Sequence, residues 1–166
     1  ECDRGSFDVV WATHALYAIP QNELEEALGC MINTIGNIEA SGVSGSGFIA
    51  HAKSRSHYLE FYQLFLKAFK QVGVEPFTSA EQITSVLTRM GLPLAVKEIA
   101  YTNGVPEEME MEVEQYLQRC VFDDTVSLKQ MLTNSITGPY LESCRKDGMW
   151  RFSQHVDMIF INAPHV

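Results

Sequence analysis

Basic residues are scarce in this chain. Lysine and arginine number 12 against 21 aspartates and glutamates, which leaves a formal net charge of −9. Nucleic acids and anionic membranes are held by basic patches, so neither is an expected partner. No apolar run approaches the roughly 20 residues that span a bilayer. Cysteine is sparse as well. Cys2, Cys30, Cys120 and Cys144 are widely separated, with no CxxC and no Cys/His cluster at zinc spacing. No metal is therefore expected, and free buried thiols in a reducing, cytoplasmic compartment are the simplest reading. GxSxG, HExxH and P-loop signatures are also missing. Gly42–Gly47 (Gly-Val-Ser-Gly-Ser-Gly) is rich enough in glycine to suggest a phosphate loop. It precedes a strand instead of joining a strand to a helix N-terminus, which argues against that use.

What is present is ordinary globular material, with 46% hydrophobic and 20% charged residues over 166 positions. That suffices for one domain with a sizeable core. Phe7–Thr13 is β-branched and aromatic and reads as a fully buried strand. Asn22 is placed to cap a helix whose apolar positions Leu24, Ala27, Leu28, Met31, Ile32 and Ile35 run to Gly36, with Glu23, Glu25 and Glu26 at its positive end. Ser41–Gly47 reads as a turn and Gly47–Ala52 as a second short buried strand. Ser56 caps an aromatic helix in which Tyr58, Phe61, Tyr62, Phe65 and Phe69 recur every three or four residues. Thr78-Ser79-Ala80-Glu81 opens another helix with capping-box character, ending at Gly91. Leu94–Tyr101 is a third strand and Glu107–Arg119 an acidic, solvated helix. Ser127–Arg145 is helical with a break near Gly138-Pro139. Trp150–Ile161 is a long final strand.

Alternating strands and helices make this an α/β chain, with a parallel sheet expected from the helical crossovers. Ligands of such sheets bind beyond the carboxyl ends of the strands. Those ends are Thr13-His14 with Tyr17, then His51 followed by Lys53, Ser54, Ser56 and His57, and Tyr101-Thr102-Asn103. A final strand running antiparallel would bring Trp150, Phe152 and Gln154 to the same edge. The result is an aromatic cleft with a few polar groups, suited to a small organic ligand. Each candidate has a plainer use. His14 could cap the following helix, and His51 could be a satisfied histidine beneath a helix. The aromatic stripe is mostly core, with Phe61 its best candidate for a ligand, and Gln154 could be a solvated strand end.

Phe7-Asp8-Val9-Val10-Trp11-Ala12-Thr13-His14-Ala15-Leu16-Tyr17 resembles the fourth strand and following loop of class I S-adenosylmethionine-dependent methyltransferases. On that resemblance Gly47–Ala52 is strand five, Leu94–Tyr101 strand six and Trp150–Ile161 strand seven. The chain is then the second half of a seven-stranded Rossmann-like sheet, in the order 4-5-7-6 with the last strand antiparallel. Residues 1–166 are the C-terminal, substrate-side part of one methyltransferase domain. The cofactor-binding half, with its glycine loop and ribose carboxylate, is expected elsewhere: cut off, unresolved or on another chain. Without strand one beside it, Phe7–Thr13 is an apolar edge open to aggregation or swapping.

Within this family the chain is similar to the histamine N-methyltransferase-like group. The similarity rests on Leu16-Tyr17, the aromatic helix, Cys120-Val121-Phe122, and Gly148, Phe152 and Gln154 entering the last strand. It implies substrate contacts from His14, Tyr17, His57, Phe61 and Gln154, with Ala12 and Thr13 beside the cofactor, S-adenosyl-L-methionine. His14 stands where that group carries an uncharged amide, which implies a substrate other than histamine. The segments WATHALYAIP, SHYLEFY, PFTSAEQI and YLQRCVFDD further resemble the methyltransferase domain of ovothiol biosynthesis enzymes, which methylate the imidazole of 5-mercaptohistidine. His14 is then the catalytic residue, orienting the acceptor nitrogen and taking its proton. The competing reading is a methyltransferase-like scaffold subunit without catalysis.

Overall fold

The computed structural model describes residues 5–38, 43–70 and 76–162. In chain order the elements are β1 (Val9–Thr13), α1 (Leu24–Asn33), β2 (Asn37–Ile38), β3 (Val43–Ser44), β4 (Ser46–Ala52), α2 (His57–Phe69), α3 (Ala80–Arg89), β5 (Leu94–Pro106), α4 (Glu110–Val121), α5 (Leu128–Thr133), α6 (Thr137–Ser143), β6 (Arg145–Lys146) and β7 (Met149–Asn162). The main sheet has the order β1-β4-β7-β5, with β6 paired to β7. β1 and β4 are parallel, with Trp11 opposite Phe48. β7 runs antiparallel to β4, with Phe48 opposite Phe160. The expectation of an antiparallel final strand placed inside the sheet is met. The parallel pairing expected of strands joined by helical crossovers holds for β1 and β4, while both pairings with β7 whose register is defined are antiparallel, so the sheet is mixed.

The chain divides into two compact units. One comprises Glu1–Ser54, Phe77–Ile99 and Val156–Val166, and the other Arg55–Pro76 and Ala100–His155.

In the first unit, α1 places Leu24 and Leu28 four residues apart on one face, and α3 places Ile83, Val86 and Leu87 on another. These meet Ala12, Ile49, Ile159 and Ile161 from the strands in one apolar cluster. Fully burying each such leucine or isoleucine stabilises the fold by about 1.5–3 kcal/mol. The cap of α3 is as expected. Ser79 accepts from the Gln82 backbone N–H, the Gln82 side chain accepts from the Ser79 N–H, and Gly91 follows the helix at φ +74°. The cap of α1 is not. Glu23, not Asn22, occupies the N-cap position, and no side chain caps the helix. The helix also stops at Asn33, so Ile35 leaves it to bridge Phe7, and the Gly36 N–H donates to the Phe7 carbonyl.

Two strand readings change here. β1 is two residues shorter than Phe7–Thr13 and is not fully buried. Ala12 lies in the core, whereas Val9 and Trp11 are 61% and 76% exposed. The described helices of this unit, α1 and α3, cover the Ala12 side of the strand, which leaves the odd-numbered side bare. The glycine-rich segment is not a simple turn either. Val43–Ser44 forms a small antiparallel ladder with Asn37–Ile38, and Ser41 and Gly42 lie outside the described residues. Its glycines serve packing: a Cβ on Gly45 would sit 2.6 Å from the Gly36 carbonyl oxygen.

In the second unit, Leu59, Phe61 and Phe65 of α2 are buried, as are Val113 and Leu117 of α4, Met131 of α5 and Leu141 of α6. The helical break falls at residues 134–136, earlier than Gly138-Pro139. Pro139 sits in the first turn of α6, where a missing N–H costs nothing. The turn is closed by Asn134, whose Oδ1 accepts from the Ile136 N–H at 2.8 Å. α4 begins at Glu110, not Glu107. Of the cysteines described, only Cys120 is buried; Cys144 is half-buried and Cys30 exposed, and Cys2 lies outside the described residues. This corrects the expectation of buried thiols throughout.

Candidate functional site

The C-terminal ends of β1 and β4 lie side by side because the two strands are parallel. The His14 N–H donates to the Ala50 carbonyl at 2.9 Å and ends the ladder. His14 then takes a left-handed backbone at φ +51°, a conformation that costs a non-glycine residue about 1–3 kcal/mol. That turn brings its exposed ring over Tyr17, with Nδ1 2.6 Å from the phenol oxygen. The sequence placed His14 and Tyr17 together, and the structure joins them directly. Thr13 is exposed at the end of the strand, and Ala12 is in the core.

Tyr17 packs in turn on His51, ring centroids 4.1 Å apart, and on Phe77 at 5.6 Å. His51 is completely buried, and its Nε2 lies 2.9 Å from the Thr78 carbonyl oxygen. A carbonyl can only accept, so Nε2 carries the proton and Nδ1 is left as a lone pair. That Nδ1 is buried without a partner. Desolvation lowers the His51 pKa to about 4, against the opposing bond to Thr78, so the ring is neutral at physiological pH. Burial also lowers the pKa of His14. Thr78 is anchored by donating its N–H to the Tyr17 carbonyl and its hydroxyl to the Ile19 carbonyl. Beside this group Glu81 accepts from both the N–H and the hydroxyl of Ser54. Burial raises its pKa, but the hydrogen bonds outweigh it and keep the carboxylate ionised.

The second unit holds the other three residues expected in the site. His57 opens α2 and is enclosed by rings. Phe152 is 4.3 Å away by centroid, Phe61 stacks at 5.4 Å, and Tyr116 and Tyr140 stand at 5.7 Å. Its Nδ1 is 2.8 Å from the Tyr140 hydroxyl, while Nε2 is buried with no partner. Desolvation lowers the His57 pKa to about 3, so this imidazole is neutral as well.

Gln154 is buried, not a solvated strand end. Its Oε1 accepts from the Ser56 hydroxyl at 2.5 Å, and its Nε2 donates to the Tyr116 oxygen at 3.0 Å. Ser56 Oγ also accepts from the His155 N–H. Ser56 stands at the N-cap position of α2 but makes no side-chain cap bond, because its hydroxyl is committed to β7. Burial drives the Tyr116 and Tyr140 hydroxyls strongly upward, so both stay protonated.

The seven residues expected from the sequence thus fall in two places. Ala12, Thr13, His14 and Tyr17 belong to the first unit, and His57, Phe61 and Gln154 to the second. Tyr116 and Tyr140 were not anticipated. Tyr116 lies one turn after the buried Val113 on α4, a helix read from its acidic residues alone. Tyr101-Thr102-Asn103 do not end a strand, because β5 continues to Pro106. Asn103 still reaches the Tyr116 hydroxyl, with Nδ2 at 3.4 Å. Among the described residues no group of three or more His, Cys, Asp or Glu is arranged to hold a metal ion. No described helix is long and apolar enough to cross a membrane.

No protein-family model matches this sequence. No curated protein matches it either. Solved structures do match. A candidate methyltransferase of Bacillus halodurans superposes with TM-score 0.54 at 11% identity, over 97% of this chain and 66% of its own. A candidate sarcosine dimethylglycine methyltransferase of Galdieria sulphuraria gives 0.42 at 14% identity, over 96% of this chain and 54% of its own. The YcgJ protein of Bacillus subtilis gives 0.47 at 13% identity, over 98% and 66%. The chain spans about two thirds or less of the length of each. It therefore shares the mixed α/β fold of the Bacillus halodurans protein, with its sheet in the order β1-β4-β7-β5.

Proposed function

We propose that this chain is the substrate-side part of an S-adenosylmethionine-dependent N-methyltransferase acting on a small amine or imidazole, 5-mercaptohistidine being the narrowest candidate. The observation that carries the reading is the strand end itself. His14 and Tyr17 project from the carboxyl end of β1, where open α/β sheets bind their ligands, in a fold shared with a candidate methyltransferase.

The residues present fit one edge of the cofactor. Thr13 is exposed at the strand end with Ala12 beneath it, and no glycine-rich turn follows β1 to take a nucleotide. When bound, S-adenosyl-L-methionine supplies an electrophilic methyl group on a sulfonium. The chain's own groups orient the acceptor nitrogen and hold its proton. In the tautomer whose Nδ1–H donates to the Tyr17 oxygen, His14 offers Nε2 as the acceptor, and burial shifts its pKa downward, toward the neutral ring. The substrate contacts expected of His57, Phe61 and Gln154 belong to the second unit, where all three side chains are buried against protein partners.

The test is transfer of labelled methyl groups by the complete natural polypeptide to 5-mercaptohistidine, histidine and histamine, with S-adenosylhomocysteine binding measured by calorimetry. Transfer to an imidazole nitrogen supports the reading. Binding of S-adenosylhomocysteine without transfer to any of the three removes the substrate class. Loss of both leaves the scaffold reading.

A further inference from the structure

In the second unit, α4 buries one face and leaves the other in solvent. Val113, Leu117, Cys120 and Val121 are buried. On the outer side Met111, Gln115, Gln118 and Phe122 follow at intervals of four, three and four residues, which sets them in one stripe. The two ends of the stripe are apolar and open: Met111 is 73% exposed and Phe122 76%. Phe122 ends the helix with a left-handed backbone, φ +53°. Its N–H and that of Asp123 both donate to the Gln118 carbonyl. Glycine or asparagine takes such a place at low cost. A largely exposed phenylalanine gains neither backbone ease nor burial there, and residues held in such conformations gather at binding and active sites.

The surroundings of the stripe are grooved. Met111 borders a groove of about 560 Å³ between α4 and α5, lined also by Leu128, Leu132 and Lys129. Gln115, Gln118, Arg119 and Phe122 line another. Gln118 donates its Nε2 hydrogens to the Asp124 and Val126 carbonyls, which leaves its Oε1 as an open acceptor. Among the described residues the side chains of Glu112, Gln115 and Arg119 make no hydrogen bond or ion pair. Glu112 and Arg119 lie on the same exposed flank of the stripe, two turns apart, and so cannot reach each other within one helix.

We propose that this face joins two copies of the chain about a two-fold axis, with α4 antiparallel to α4 of the second copy. The stripe is complementary to itself in that arrangement. Met111 meets Phe122 of the second copy and Gln115 meets Gln118, each pair occurring twice. The thioether packs on an aromatic ring, and that ring enters the groove beside Leu128 and Leu132. The Gln115 amide donates to the open Gln118 oxygen. On the flank Glu112 falls opposite Arg119 of the second copy, again twice. Opposite charges therefore meet at the contact, although each copy carries a net charge of −9. Three turns of helix bury less than the about 1,200 Å² in total that marks stable interfaces, so the dimer is a transient one, dissociating at roughly micromolar concentrations or above. The pairing is independent of methyl transfer.

Sedimentation velocity of the natural polypeptide over a concentration series tests the pairing, and a monomer–dimer equilibrium is expected. Phe122→Gly removes the aromatic anchor while easing the backbone. It should weaken the dimer by about tenfold or more without lowering the urea-unfolding midpoint of the monomer. Arg119→Glu sets like charges opposite each other and should weaken the dimer as well. Adding Glu112→Arg to it should restore the dimer, which an effect confined to one helix would not do. A monomer at every concentration overturns the proposal and leaves the face to a different partner. A dimer that survives Phe122→Gly and Arg119→Glu also overturns it, by placing the contact elsewhere. So does a double variant that fails to recover the dimer.

Discussion

His51 and Thr78 lock each other. The imidazole Nε2–H reaches the Thr78 carbonyl at 2.9 Å, and the opposite nitrogen is left buried and unpaired. Together with the enclosed His57, this gives the protein two histidines that are neutral in the fold and ready to charge once unfolded.

Acid should therefore destabilise the protein before its carboxylates titrate. Folded pKa values of about 4 for His51 and about 3 for His57 lie below the ordinary 6.5. The unfolded state takes up these protons first, so stability is unaffected above pH 6.5. It falls as pH drops from there toward about 4 and then 3. A shift of this size at His51 corresponds to about 3 kcal/mol when fully expressed. Urea unfolding at stepwise pH should show the loss, and His57→Phe should flatten its lower part. A flat stability profile between pH 6.5 and 4.5 would contradict the neutral assignment.

The imidazole of His14 and its backbone can be tested apart. Asparagine tolerates the left-handed conformation at this position, so His14→Asn should keep stability within about 1 kcal/mol. On the proposed function, His14→Ala and His14→Asn in the natural polypeptide should both lower kcat/KM for methyl transfer by about tenfold or more. Unchanged kinetics in either variant would remove His14 from the reaction.

Ser56→Ala should cost more than the loss of a helix cap. It strands the buried Gln154 side-chain oxygen and removes an acceptor from the His155 N–H, a penalty of about 2 kcal/mol. The midpoint of urea unfolding measures it. Ser56→Asn, a good cap that cannot occupy the hydroxyl's place, should not rescue the loss.

Ser79→Ala is the contrasting case. There the serine does cap, reciprocally with Gln82, and its removal should cost about 1 kcal/mol. A threonine at the same position should restore most of it.

Local grammar was legible in the sequence wherever one element's own residues decided the outcome. The Ser79 cap depends on a residue three positions on, and the buried face of α1 repeats every turn. The strand read at Gly47–Ala52 announces itself by the apolar Phe48-Ile49-Ala50 between small residues. The adjacency of His14 and Tyr17 was legible for the same reason, since three residues and one turn fix it. The failures share the opposite cause. Ser56 looked like a cap because its partner, Gln154, is remote in sequence and no local pattern encodes that bond. β5 outlasted its turn-forming Asn103 and Gly104 because ladder pairing within the sheet overrides local preference. Composition alone could mark Val9 and Trp11 as apolar. Only the placement of α1 and α3 on the other face decided that they would be exposed.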